Sequence, residues 1–197
     1  RDIQVICRSA GERPCGDVGP GRLLGPEAIV AAVKARFESR LLEGRRVVIT
    51  AGPTVEAIDP VRYLSNRSSG KMGFALAGAC AEAGAQVELI SGPVHLNAPD
   101  RVTLHHVTSA TEMCEQALAL SAGADVFIGA AAVADYRPQS TSAEKIKKAD
   151  GAPLVLTLIE NPDIIARVAQ SASRPSMVVG FAAETASLME HAREKRQ

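Results

Sequence analysis

The chain has 197 residues and a mass of 20.6 kDa, enough for one full domain or for one domain joined to a fragment of another. Its 46% apolar and 22% charged residues exclude a disordered chain and a fibrous repeat. The 22 basic and 22 acidic residues balance, and 3% of residues are aromatic with no Trp; this excludes the general nucleic-acid binder and the anionic-membrane binder, so any polyanion site must be local.

In chain order, Ile3–Ile6 predicts a terminal strand. Gly11–Arg22 predicts a loop, since five of its first ten residues are Gly or Pro. Pro26 opens a helical pattern carried by Ile29, Val30, Val33 and Phe37. The charged run 36–46, with Gly44, predicts a domain boundary; residues 1–44 are too few to hold their own core and are expected to be the tail of a preceding domain. Beyond it, strand and helix patterns alternate. Strands are expected at Arg45–Thr50, Gln86–Ile90, Thr103–Val107, Asp125–Val133, Leu154–Ile159 and Met177–Phe181, and helices at Gly70–Ala83, Thr111–Leu120, Asn161–Gln170 and Ala186–Gln197. The alternation implies an α/β, Rossmann-like fold: a mostly parallel sheet with helices on both faces and ligands at the carboxyl ends of the strands.

The longest nearly apolar stretch, Val126–Ala134, is far short of the ~20 residues that span a bilayer. The chain opens at Arg1 without a basic-then-apolar leader and closes inside a helical pattern, so the expectation is an excised piece of a longer protein with no secretory signal. Cys7, Cys15, Cys80 and Cys114 form no CxxC pair, and a reducing, cytoplasmic setting is expected. The four His residues show no zinc spacing.

Chemistry-bearing motifs sit where strands end. The first strand runs into Ala51-Gly52-Pro53-Thr54, which lacks the dinucleotide fingerprint, and Lys71-Met72 breaks the phosphate-loop pattern. A long connection, 55–69, follows instead, and connections of that length are usually functional or disordered. Ser68, Ser69 and Gly70 precede an apolar helix, with Arg62, Arg67 and Lys71 near them; an anion site and a capped helix with a solvated basic rim are both open on spacing alone. Asp135 follows the small residues Gly129–Ala132, as a metal or ribose ligand or as a turn residue before Arg137-Pro138. Lys145, Lys147 and Lys148 are either solvated or poised over phosphates. Asn161, Pro162 and Asp163 read as a helix start, with Asn161 as the cap. Phe181 offers a wall for a base or a buried core ring, and Glu184 a polar contact.

Taken together, ITAGPTVEAIDPVRYLSNRSSGKMG, IGAAAVADYRP, EKIKK, ENPDI and VVGFAAET, in this order, resemble the phosphopantothenoylcysteine synthetase domain of the bacterial bifunctional coenzyme A biosynthesis proteins, over Arg45–Gln197. PCGDVGPGR, from Pro14 to Arg22, is similar to the active-site flap of the FMN-dependent phosphopantothenoylcysteine decarboxylase, a lyase fused upstream in that family. The resemblance implies a ligase that joins 4′-phosphopantothenate to cysteine through an acyl-cytidylate formed from CTP, with Mg2+ (or Mn2+) on the nucleotide. It implies residues 1–44 as the decarboxylase tail and 45–197 as a ligase domain truncated at its C-terminus, with FMN confined to the part of the protein upstream. By the same resemblance Gly129, Ala130, Ala131, Asp135, Lys145, Pro162, Asp163, Ile164, Ile165, Phe181 and Lys195 line the CTP site, with Asp135 toward the metal. Asn66 contacts the acyl-cytidylate, Arg62 supports it, Lys145 neutralises phosphate charge, Ser68, Ser69, Gly70 and Lys71 serve substrate binding, and Cys15 is the flap proton donor. A homodimer, within a larger assembly in the intact fusion, is implied as well. The rival readings are an NAD(P)-binding Rossmann oxidoreductase and a non-catalytic nucleotide-binding module.

Overall fold

The computed structural model describes residues 9–12, 18–22, 25–37, 40–148, 151 and 153–181, in two compact units that divide between Leu41 and Leu42. In the first unit β1 (Ser9–Glu12) pairs antiparallel with β2 (Val18–Arg22), and α1 (Pro26–Phe37) follows. The ribbon corrects the loop expected over Gly11–Arg22. Each strand of a two-stranded ribbon is an edge, so Pro20 interrupts no ladder on a second side. The strand expected at Ile3–Ile6 and the helix expected at 186–197 lie outside the described residues.

The second unit runs β3 (Arg46–Ala51), β4 (Val55–Ala57), β5 (Tyr63–Ser65), α2 (Lys71–Glu82), β6 (Gln86–Ser91), β7 (Val102–His106), α3 (Ala110–Ser121), β8 (Val126–Gly129), β9 (Tyr136–Pro138), β10 (Leu158–Glu160), α4 (Ile164–Gln170) and β11 (Met177–Gly180). Five strands form one parallel sheet in the order β11-β8-β3-β6-β7. Val47–Ala51 of the central strand is buried throughout, as a strand covered on both faces requires. On one face α2 packs Phe74, Ala77 and Ala81 against Val47, Ile49, Val87 and Leu89. On the other, Met113, Cys114 and Ala117 of α3 and Ile164 and Val168 of α4 cover Val48, Ile90 and Phe127. The Rossmann-like sheet with helices on both faces is therefore as the alternation implies.

Two local sequence choices fix where the helices begin. Ser109 caps α3 by accepting from Glu112 N at 3.2 Å, and the Glu112 carboxylate reaches back to the Ser109 amide, which closes a capping box. α2 starts from Gly70, whose φ of 73° only a residue without Cβ adopts freely, and it lies so close to β3 that a Cβ on Gly73 would stand 2.5 Å from that of Ala51.

Three strand and helix boundaries depart from expectation. The strand expected over Asp125–Val133 stops at Gly129, because the Ala-rich continuation turns to bond the end of β3: Ala130 N reaches Thr50 O at 3.2 Å and Ala132 N reaches Gly52 O at 2.8 Å. Of the strand expected at Leu154–Ile159, Leu158 and Ile159 alone fall within a strand, in an antiparallel ribbon of β9 and β10 outside the main sheet. Val155 is 82% exposed, so this apolar run is not a core strand. Helix α4 is capped by Asp163, which accepts from Ala166 N at 2.9 Å, and not by Asn161, whose side chain is engaged elsewhere. Within the long connection 55–69, β4 and β5 form a hairpin with Ala57 opposite Tyr63.

Candidate functional site

The carboxyl ends of β3 and β8 lie side by side in the sheet, and the loops that leave them are stitched together by backbone bonds. Pro53 bridges Ala132, and Thr54 N donates to Ala132 O at 3.3 Å. The fully buried Thr54 returns the tie through its hydroxyl oxygen, which accepts from Ala134 N at 3.0 Å. Thr50 Oγ1 accepts from Ala131 N at 3.4 Å. The turn 130–135 is thus held from beneath by two threonines, neither of which the sequence singles out.

Two asparagines grip the same turn from its sides. Asn66 Nδ2 donates to Val133 O at 3.0 Å and to Ala132 O at 3.3 Å. Asn161 Nδ2 donates to Ala134 O at 2.8 Å, and its backbone N–H donates to Asp135 O at 2.7 Å. Arg137 Nη1 in turn donates to Asn161 Oδ1 at 3.0 Å. Asn66, Gly129–Asp135 and Asn161–Ile165 are therefore neighbours, although up to about a hundred positions separate them in sequence. The exposed side chain of Asp135 stands on this turn.

Next to the turn, the β8 and β11 strands end in glycines that make room for the Ile165 side chain. A Cβ on Gly129 or on Gly180 would lie 2.9 Å from Ile165 Cδ1, and Phe181 N donates to Gly129 O at 3.3 Å. Gly129, Ile165 and the half-exposed ring-bearing Phe181 thus come together. Ile164, expected at the nucleotide, is instead a buried core residue against α3, and the Asp163 carboxylate is committed to its cap.

On the β3 side, Gly52 and Gly70, both at positive φ, meet where α2 begins, and a Cβ on Gly92 would overlap the Pro53 carbonyl. Ser68 Oγ accepts from Gly70 N at 3.3 Å, Ser69 and Lys71 are exposed, and no side chain caps α2. Its amino end, and with it the positive end of its dipole, lies beside Gly52 just past the end of β3.

The Lys145 segment joins through a different contact. Asp59, buried in the β4–β5 turn, accepts from Val61 N and Arg62 N at 2.8 Å each, pairs with the Arg62 guanidinium at 3.0 Å through Nε, and accepts from Ile146 N at 3.1 Å. Arg62 Nη2 then donates to Ile146 O at 2.7 Å. The guanidinium and the three backbone N–H groups hold the Asp59 carboxyl well below the usual carboxylate range. Lys145, Lys147 and Lys148 flank the pinned residue and are exposed. Burial pushes the thiols of Cys80 and Cys114 up from the ordinary cysteine value. Cys15 and Lys195 lie outside the described residues.

Among the described residues no three His, Cys, Asp or Glu side chains gather around a metal position. A lone exposed Asp135 does fit a hydrated divalent cation that arrives on phosphates, the usual way magnesium is held. No helix among the described residues is long and apolar enough to cross a membrane.

Fold and site define a Rossmann-like α/β domain whose strand-end loops are bonded to one another where a glycine fingerprint would otherwise stand. Residues 42–197 match the DNA/pantothenate metabolism flavoprotein C-terminal domain, and the chain belongs to that family. The coenzyme A biosynthesis bifunctional protein CoaBC of Vibrio parahaemolyticus is 50% identical over 196 residues, which cover 99% of this chain and 49% of that protein. The chain therefore spans about half the length of the curated relatives it matches. The crystal structure of the C-terminal domain of a coenzyme A biosynthesis bifunctional protein CoaBC is similar with a TM-score of 0.69 at 42% identity, over 80% of this chain and 74% of that one. A solved complex of another protein with phosphopantothenate-cysteine has a TM-score of 0.66 at 16% identity, over 86% of this chain and 76% of that one, a likeness of fold.

Proposed function

We propose that the chain carries the phosphopantothenate–cysteine ligase step of coenzyme A biosynthesis, with CTP as the activating nucleotide. The observation that carries this reading is the convergence of Asn66 and the Asn161–Ile165 segment on the turn 129–135, in a chain half identical to bifunctional coenzyme A biosynthesis proteins. In this reading the phosphopantothenate carboxylate attacks the α-phosphate of CTP and expels pyrophosphate, and the cysteine amine then displaces CMP to form the amide.

Each side chain meets a physical need of that sequence. Two anions must approach, so Lys145 and the amino end of α2 supply positive charge to the phosphates. Gly129 and Gly180 seat the Ile165 side chain, and the half-exposed Phe181 beside them offers an apolar wall for the base. Asn66 holds the turn and presents a neutral amide beside it, which repels neither reactant. Arg62 acts through its grip on Asp59 and Ile146. Ser68, Ser69 and Lys71 belong to the phosphopantothenate side. Asp135 is the carboxylate that would hold a divalent cation, which neutralises triphosphate charge when bound.

The rest of the proposal concerns the longer protein: residues 1–44 as the tail of an FMN-dependent decarboxylase with Cys15 in its flap, Lys195 at the nucleotide, a homodimeric ligase domain and a cytoplasmic setting. An NAD(P) oxidoreductase is disfavoured by Gly52-Pro53-Thr54 at the turn where the fingerprint would stand. The test is turnover by the full-length polypeptide. CTP, 4′-phosphopantothenate and cysteine should yield pyrophosphate and CMP in equal amounts, with CMP release dependent on cysteine; a polypeptide that releases neither product overturns the reading.

A further inference from the structure

We infer that Asp59 is a positioning residue that clasps the Lys145 segment onto the β4–β5 hairpin, and so sets the reach of the lysine that meets the phosphates; the second half of this statement rests on the ligase reading above. Asp59 bears no exposed surface of its own to offer a ligand: its side chain is buried and all its partners are internal. Of those partners, Val61 N, Arg62 N and the Arg62 guanidinium are local to the turn, whereas Ile146 N lies 87 positions away. A turn needs only the local bonds.

The distant bond is closed into a ring by Arg62. Its guanidinium holds Asp59 with one edge and the carbonyl of the same Ile146 with Nη2 at 2.7 Å. Both backbone polar groups of one residue are thus bonded by an acid and a base that also bond each other. The carboxylate accepts and the guanidinium donates, so the arrangement fixes chain direction as well as distance. Upstream, Ser142 N donates to Ile58 O at 3.0 Å and Thr141 Oγ1 donates to Ala57 O at 3.1 Å, which lays residues 141–146 along the hairpin. Lys145 precedes the clasped residue and keeps its own side chain exposed. The hairpin also carries Asn66 at the end of β5, so one acid aligns the lysine with the amide that grips the turn 132–133. A lysine is a point charge on a flexible stem, and where its backbone is anchored decides what it can reach.

The clasp can be read without any substrate. In Asp59→Asn, limited trypsin digestion should cut after Lys145, Lys147 and Lys148 about tenfold faster than in the parent chain, the lower end of what loss of a charge-assisted hydrogen bond does to local opening. Far-ultraviolet circular dichroism should be unchanged. In the full-length polypeptide the same variant should raise KM for CTP at least about fivefold with a smaller change in kcat, and Asp59→Asn with Lys145→Gln should be no worse than Lys145→Gln alone. Asp59→Glu, which keeps the charge, should recover part of the CTP affinity. If Asp59→Asn fails to fold, Ile146→Pro removes the distant N–H and leaves both charged side chains in place; the same two readouts apply, with cleavage followed after Lys147 and Lys148, since trypsin does not cut a Lys-Pro bond. Cleavage at the parent rate in a folded variant overturns the clasp, and faster cleavage with an unchanged KM overturns the positioning role. A parent polypeptide that does not use CTP fells the ligase reading instead and leaves the trypsin result to judge the clasp.

Discussion

Asn66 commits both amide hydrogens to the carbonyls of Ala132 and Val133, so its value to the site is first that of a brace. Asn66→Asp would set a carboxylate against two carbonyl oxygens and add negative charge where anions must meet. We expect amide formation by the full-length polypeptide to fall at least ~10²-fold, as removal of one oriented donor from a polar site commonly does. Pyrophosphate release assayed beside amide formation will show which half-reaction suffers, and turnover at the parent rate would remove Asn66 from the mechanism. Asp59 gives a pH signature. Its carboxyl is held below the ordinary range chiefly by Arg62, so its contribution to stability is complete above the unfolded-state value of ~3.9 and is lost as pH falls toward the depressed native value. The urea midpoint should therefore decline between about pH 4 and pH 2 more steeply in the parent than in Asp59→Asn. Equal slopes would mean that the pairing does not persist in solution. The positions of Asn66 and Lys145 were legible as residues in motifs, but their partners were not. Backbone carbonyls and N–H groups carry no sequence signature, so nothing in NRSSG points at Ala132, and nothing in DPVR points at Ile146.

At the scale of elements, the parallel strands were legible because burial on both faces writes itself as β-branched runs such as Arg46-Val47-Val48-Ile49-Thr50. The antiparallel pieces were not. β4, β5, β9 and β10 have three residues each, too few for an alternation to show, and β10 borrows an apolar run that is largely exposed. The sequence points to a cap for α4 two residues too early, because Asn161-Pro162-Asp163 offers two caps in three positions and the bond to Ala134 takes the first of them. Close packing of α2 on β3 gives the test at this scale. Gly73→Ala places a methyl 2.5 Å from Ala51 Cβ and 3.1 Å from its Cα, so the helix must move off the sheet. The overpacking costs about 1–3 kcal/mol, offset in part by the ~1 kcal/mol that Ala gains over Gly in a helix. A lower urea midpoint with an unchanged m-value is expected, and an equal or higher midpoint would show that α2 has room to shift.

For the whole molecule, a ligand held at the strand-end loops makes binding and folding one equilibrium. CTP with magnesium at 100 times its dissociation constant should add about 2.7 kcal/mol to stability, and ATP at the same concentration less. A melting-temperature series with CTP, ATP and NAD reads this directly; a response to NAD and none to CTP would favour the oxidoreductase. The strand order has a further consequence, for the chain as it leaves the ribosome. β6, the neighbour of β3 on one side, begins about 35 residues after β3 ends, but the neighbour on its other side, β8, begins about 75 residues after β3 ends. At ~5–20 residues per second, the middle strand of the sheet waits roughly 4–15 s with one row of amides and carbonyls unpaired. During that interval Val47–Ala51 is an apolar edge open to any passing strand, and the nascent chain depends on whatever shields it until Val126–Gly129 arrives.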